Sequence, residues 1–154
     1  MPEKGTIARA RRDKERGKAP STQAGEFIRE EMHHIRERKH GARSTKQAIA
    51  IGLSKARRAG VKLPPPRQGT VPEKTRRSAE STYRRGRSHA GVSKKRSLAT
   101  EQALRREGHG AASRPSLSRQ ARSSARRRSA QQRSASARKA AQTRQRAAHR
   151  HAQN

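Results

Sequence analysis

The stretch Ser44-Thr45-Lys46-Gln47-Ala48-Ile49-Ala50-Ile51-Gly52-Leu53-Ser54-Lys55-Ala56-Arg57-Arg58-Ala59-Gly60-Val61-Lys62-Leu63-Pro64 decides the fold class. Ser44 and Gln47 have capping-box spacing, in which each side chain satisfies a backbone N–H left free at a helix start. The body is rich in alanine, the best helix former. Gly60 suits the left-handed residue past a helix end, Val61 the hydrophobic contact that goes with it, and Pro64 blocks continuation. Ile49, Leu53 and Ala56 form one apolar stripe, with Gly52 and Ala59 beside it. Ala50, Ser54, Arg57 and Arg58 fall on the polar side. Ile51 points away from Ile49, as an exposed aliphatic or a self-association contact.

Upstream, Ala24, Phe27, Ile28, Met32 and Ile35 recur at helical spacing, which predicts a helix over 22–40. Ser21 or Thr22 is its expected N-cap, and Glu26, Glu30 and Glu31 lie toward its positive end. Gly41 is the expected C′ residue. Ala42-Arg43 is so short a linker that the two helices should fold back as an αα-hairpin or cross as a helix-turn-helix, and residues 21–63 read as that αα-hairpin unit. So small a unit buries little, and a homodimer partner or docking on DNA would complete it.

Outside the hairpin the composition changes. The chain has 154 residues with 41 Lys or Arg, 11 Asp or Glu and a formal charge of +30, whereas its apolar fraction is only 27%. Low apolar content with high charge is the signature of disorder, because burial cannot offset chain entropy. The expected architecture is therefore mostly α, a small two-helix hairpin flanked by long basic disordered arms. Residues 1–20 form a basic N-terminal arm. Residues 64–110 form a Pro/Ser/Arg-rich linker with weak helices at 73–85 and 94–107. Residues 111–154 form an Arg/Ala/Ser-rich tail with no acid at all.

The charge asks for a polyanion. Nucleic acid fits, because each neutralised phosphate releases condensed counterions. The candidate contacts are Arg43, Lys46, Lys55, Arg57, Arg58 and Lys62 around the second helix, where 42–63 holds six basic residues and no acid. In the tail they are Arg126, Arg127, Arg128, Arg138 and Lys139. The first helix carries four acids and would buttress, while the second would turn Arg57 and Arg58 toward phosphate. Aromatic platforms for single-stranded bases are missing, with Phe27 and Tyr83 the only Phe, Tyr or Trp residues. The expected partner is DNA, contacted without sequence preference. RNA is the rival partner, as for a ribosome-associated basic protein.

Other classes find little support. No apolar run could cross a membrane, no N-terminal signal segment is present and there is no cysteine, so a cytoplasmic, nucleoid location is the default. His33 and His34 are adjacent and should diverge, with His40 nearly two turns on, so neither metal nor other cofactor is expected. No catalytic constellation appears, and no enzyme activity is expected.

The segment from Gly25-Glu26-Phe27-Ile28 through Ser44-Thr45-Lys46-Gln47 to Ala59-Gly60 resembles a family of short basic bacterial proteins with an uncharacterised domain, often labelled plasmid stabilisation protein or DNA-binding protein. The resemblance implies a nucleoid- or plasmid-associated protein. It also raises, on those labels alone, a component of a plasmid toxin–antitoxin pair. It assigns no functional residues.

Overall fold

In a computed structural model describing residues 2–88 and 93–152, the chain is mostly α-helical, with seven α-helices and no strand among those residues. They are α1 (Lys4–Glu15), α2 (Pro20–Arg36), α3 (Thr45–Arg58), α4 (Glu73–Arg87), α5 (Lys94–Arg105), α6 (Arg114–Arg126) and α7 (Ala130–Ala152). A 3-10 turn, Gly110–Ala112, precedes α6. Residues up to Ser116 form one compact unit, and those from Leu117 onward a second.

The α2–α3 hairpin is present, and its ends follow from local chemistry. The Ser44 hydroxyl accepts from the Gln47 N–H at 3.2 Å, while the Gln47 side chain reaches back to the Arg43 N–H at 2.8 Å. At the far end, Gly60 (φ +86°) lets the Val61 N–H reach the Ala56 carbonyl and its own N–H reach Arg57, a Schellman closure. The same closure ends α1 at Gly17 (φ +68°).

Two expectations about α2 are corrected. It begins at Pro20, with Ala19 as N-cap, because proline needs no donor in the first turn. It ends four residues before the expected 40. Arg38, not Gly41, takes the left-handed position (φ +59°), and the Lys39 N–H closes on His34. Gly41 is needed for close approach instead. A Cβ there would lie 1.9 Å from the Glu107 carbonyl oxygen, and the Gly41 and Ala42 N–H groups donate to Leu104 and Gly108.

The α2–α3 contact is made by small residues. Ala48, Gly52 and Ala56 are the buried stripe of α3, whereas Ile49, Leu53 and Ile51 are only half-buried. Gly52 faces the backbone of Ile28, and a Cβ on it would lie 2.8 Å from the Ile28 Cα. Around this contact, Phe27, Ala24, Ala10, Ala56 and Val61 form a buried cluster with Ile7, Leu53 and Leu63 at its edge. Gly52→Val should therefore lower the unfolding free energy by about 1–3 kcal/mol, the usual cost of forcing atoms into a packed contact. Urea unfolding followed by circular dichroism measures it.

The expected disordered arms are also corrected, because the arms are helical. In α1, Thr6 and Ala10 are buried one turn apart against α2, and Arg9 pairs with Glu26 at 2.6 Å. In the linker, α4 packs on α3 through Ala79 and Gly86. A Cβ on Gly86 would lie 1.8 Å from the Arg57 carbonyl oxygen, so the two backbones meet there. These arms dock by alanine and glycine, which needs no large apolar surface. The 3-10 turn completes the first unit, with the Arg36 guanidinium donating to Ala112 and the Thr45 hydroxyl to Ala111.

The tail helix α7 buries none of its described residues, so its order is local in origin. Alanine, arginine and glutamine are strong helix formers. Ser129 and Gln132 form a reciprocal capping box, both bonds at 3.2 Å. The cations of α7 are spaced so that only Arg146 and Arg150 stand at i,i+4. Like-charge repulsion between neighbouring turns of this helix is therefore mostly avoided.

Candidate nucleic-acid interface

Two of the three acids of α2 turn inward. Glu30 and Glu31 are buried, and Lys55 of α3 reaches both, at 3.3 Å from Glu30 Oε1 and 2.7 Å from Glu31 Oε2. Glu30 Oε2 also accepts from the Glu3 backbone N–H at 3.1 Å. Two carboxylates that looked like phosphate-repelling surface groups are instead internal partners of a lysine. Lys55, whose side chain is 14% exposed, is correspondingly removed from the set of phosphate contacts.

Arg57 is corrected in the same way. It was expected to face outward, but the residue is only 6% exposed. Its guanidinium donates to the carbonyls of Leu63 at 3.1 Å and Pro64 at 3.4 Å. The polar side of α3 is covered at this point by the returning chain and by α4, so a charged head group became a peg for the Pro-rich segment. Desolvation lowers its pKa.

The remaining expected contacts are exposed. Arg43 and Lys46 flank the N-terminal end of α3, where free N–H groups and the helix dipole favour anions. Arg58 and Lys62 lie at the other end. Arg126, Arg127, Arg128, Arg138 and Lys139 are exposed in the second unit. Arg138 and Lys139 project about 100° apart around α7, so its charge is not confined to one face.

The fold adds cations that the sequence reading left in the linker. Because α4 crosses α3 at Gly86, it carries Arg84, Arg85 and Arg87 to the C-terminal end of α3. Arg58 and Arg85 are close enough to repel. Partial desolvation of the Arg58 head group, and secondly the charge of Arg85, lower its pKa. Among the described residues neither has a carboxylate at ion-pair distance, in contrast to Arg76, which pairs with Glu73 and Glu80. The run Arg84-Arg85-Gly86-Arg87 was the available signal. A glycine inside a basic helical stretch marks a close backbone approach, and its neighbours go where it goes.

Arg57 and Arg58 should thus behave oppositely on truncation. Arg57→Ala should cost about 1.5–3 kcal/mol of stability, the range for a buried charged hydrogen bond. Arg58→Ala should leave the unfolding midpoint unchanged and weaken DNA binding, as paired urea titrations and anisotropy would record.

Residues 19–67, which span α2, α3 and the start of the Pro-rich segment, match the model of a family of unknown function (DUF6496). No curated protein and no solved structure matches the chain. No helix among the described residues is long and apolar enough to cross a membrane.

Proposed function

We propose that this protein binds duplex DNA through the phosphate backbone, without base readout, and acts in DNA coating or compaction as a nucleoid- or plasmid-associated, non-enzymatic factor. The observation that carries the reading is the convergence of Arg58 with Arg85, neither with a carboxylate at ion-pair distance among the described residues, where the α3 and α4 backbones meet at Gly86 in a chain with formal charge +30. Like charges held together without an acid cost free energy that a phosphate between them relieves. Arg43 and Lys46 at the opposite end of α3, and the acid-free α6 and α7, supply further phosphate contacts. Phosphate contacts position a protein on nucleic acid and carry no sequence information.

Duplex DNA is favoured over single-stranded nucleic acid because stacking platforms need several aromatic rings, and with Phe27 buried in the core only the half-buried Tyr83 is left. The test is a competition. Labelled duplex bound to the full chain is challenged with unlabelled duplexes of unrelated sequence, with single strands and with double-stranded RNA. Duplex DNAs should compete equally and better than either alternative. Preferential displacement by RNA would move the protein to a ribosome- or RNA-associated role. A strong preference among duplex sequences would contradict backbone-only contact.

A further inference from the structure

The early end of α2 has a chemical consequence. Because the chain reverses at Arg38, His40 comes back over the last turns of α2 instead of continuing away from them. One ligand atom each of Glu31, His34 and His40 then lie within 4.8 Å of one another. The adjacent His33 and His34 turn to different partners, Glu37 and Glu3, whereas the rings of His34 and His40 meet edge to face at 5.9 Å.

The hydrogen-bond geometry leaves the Glu31 carboxylate short of donors among the described residues. His40 Nδ1 lies 3.1 Å from the Gly41 carbonyl, which can only accept, so Nδ1 carries the proton. In a neutral ring Nε2 then presents a lone pair. That Nε2 faces Glu31 Oε1 at 3.3 Å, one acceptor against another. The Glu31 side chain is fully buried, and among the described residues neither oxygen has a hydrogen-bond partner. Lys55 is in ion-pair contact with Oε2, but that lysine is shared with Glu30, so two buried carboxylates have one cation between them.

We propose that Glu31, His34 and His40 form a binding site for a divalent transition-metal ion of the zinc class. Imidazole nitrogens with a carboxylate oxygen suit that class, and no thiolate is available in this cysteine-free chain. Bonds of about 2.0–2.1 Å in tetrahedral geometry put ligand atoms roughly 3.4 Å apart. The Glu31–His40 separation of 3.3 Å already has that spacing. The surroundings resemble a supporting shell: Gly41 fixes the His40 tautomer, Lys55 holds the other Glu31 oxygen, and Glu3 Oε1 stands 2.8 Å from His34 Nε2. The ion would clamp the turn leading into α3, next to Arg43 and Lys46. The overall positive charge opposes any cation. At physiological salt, however, fields fade over about 8 Å, and the local carboxylates decide. The proposal does not rest on the DNA-binding reading.

The full chain, stripped of metal with chelator and freed of nucleic acid in high salt, is titrated with zinc by calorimetry and with cobalt by visible absorption. One equivalent should bind, cobalt should give the intense bands of a four-coordinate site, and zinc should raise the melting temperature. His34→Gln and His40→Gln should each weaken zinc binding at least tenfold, while His33→Gln leaves it unchanged. Helicity of each variant is checked by circular dichroism. His34 is the discriminating position, because a proton held on His40 would answer the charge deficit without it. Absence of stoichiometric binding, or zinc affinity indifferent to His34→Gln, overturns the site.

Discussion

Lys55→Ala unfolds the first unit at neutral pH, or leaves it barely folded, with a loss of about 3–5 kcal/mol. The size follows from what remains when the lysine is removed. Glu30 and Glu31 are both buried, and Lys55 is the cation they share across the α2–α3 contact. Without it, two carboxylates face each other in a water-poor interior, and a stability of about 5–15 kcal/mol for an ordinary domain leaves little reserve. The charge itself is not what holds the helices together. Replacing all three groups, as in Lys55→Met with Glu30→Gln and Glu31→Gln, should recover most of the loss, because well-packed neutral groups replace a buried ionic cluster at little cost. Urea unfolding of Lys55→Met, of Glu30→Gln with Glu31→Gln, and of the triple variant closes the cycle that gives the coupling. A Lys55→Ala protein as stable as the parent would mean that water reaches these carboxylates and that the cluster is a surface feature.

This lysine also shows where sequence legibility stops. Ser44, Gln47, Gly60 and Val61 act through neighbours within four residues, so the limits of α3 could be read from spacing. The helices expected over 73–85 and 94–107 correspond to α4 and α5 for the same reason. Lys55, Glu30 and Glu31 act on partners far away in sequence, and in a linear reading a buried ion pair looks like surface charge. Arg57 has the same disguise. Periodicity centres the apolar stripe on Ile49 and Leu53 because it weighs residues by hydrophobic size, whereas the close helix contact selects the smallest side chains, Ala48, Gly52 and Ala56. The α1 helix, docked through Thr6 and Ala10, was missed on the same ground. Of the candidate contacts, Arg43, Lys46, Arg58 and Lys62 and the tail cations keep exposed positions, whereas Arg84, Arg85 and Arg87 needed the crossing at Gly86.

The second large effect concerns the tail. Replacing Arg126, Arg127, Arg128, Arg138 and Lys139 by glutamine should weaken binding to every duplex alike while preserving helix content. Glutamine is a comparable helix former, so α7 has no propensity reason to melt. Each phosphate contact contributes about 0.9 to the slope of log affinity against log salt, which amounts to roughly an eightfold factor at 0.1 M salt relative to 1 M. Five lost contacts would lower affinity by up to about 3 × 10⁴-fold, with the whole loss vanishing toward high salt. Fluorescence anisotropy at several salt concentrations separates this from a folding defect, which would not follow the salt axis. An unchanged affinity would confine DNA contact to the first unit.

The most direct test of phosphate-backbone binding is the salt titration of the unaltered protein on a mixed-sequence duplex. About 6–10 phosphate contacts predict an affinity loss of roughly 10³–10⁵ between 50 and 200 mM salt, the same for an unrelated duplex. An affinity nearly independent of salt, or no binding at 50 mM, would contradict the account.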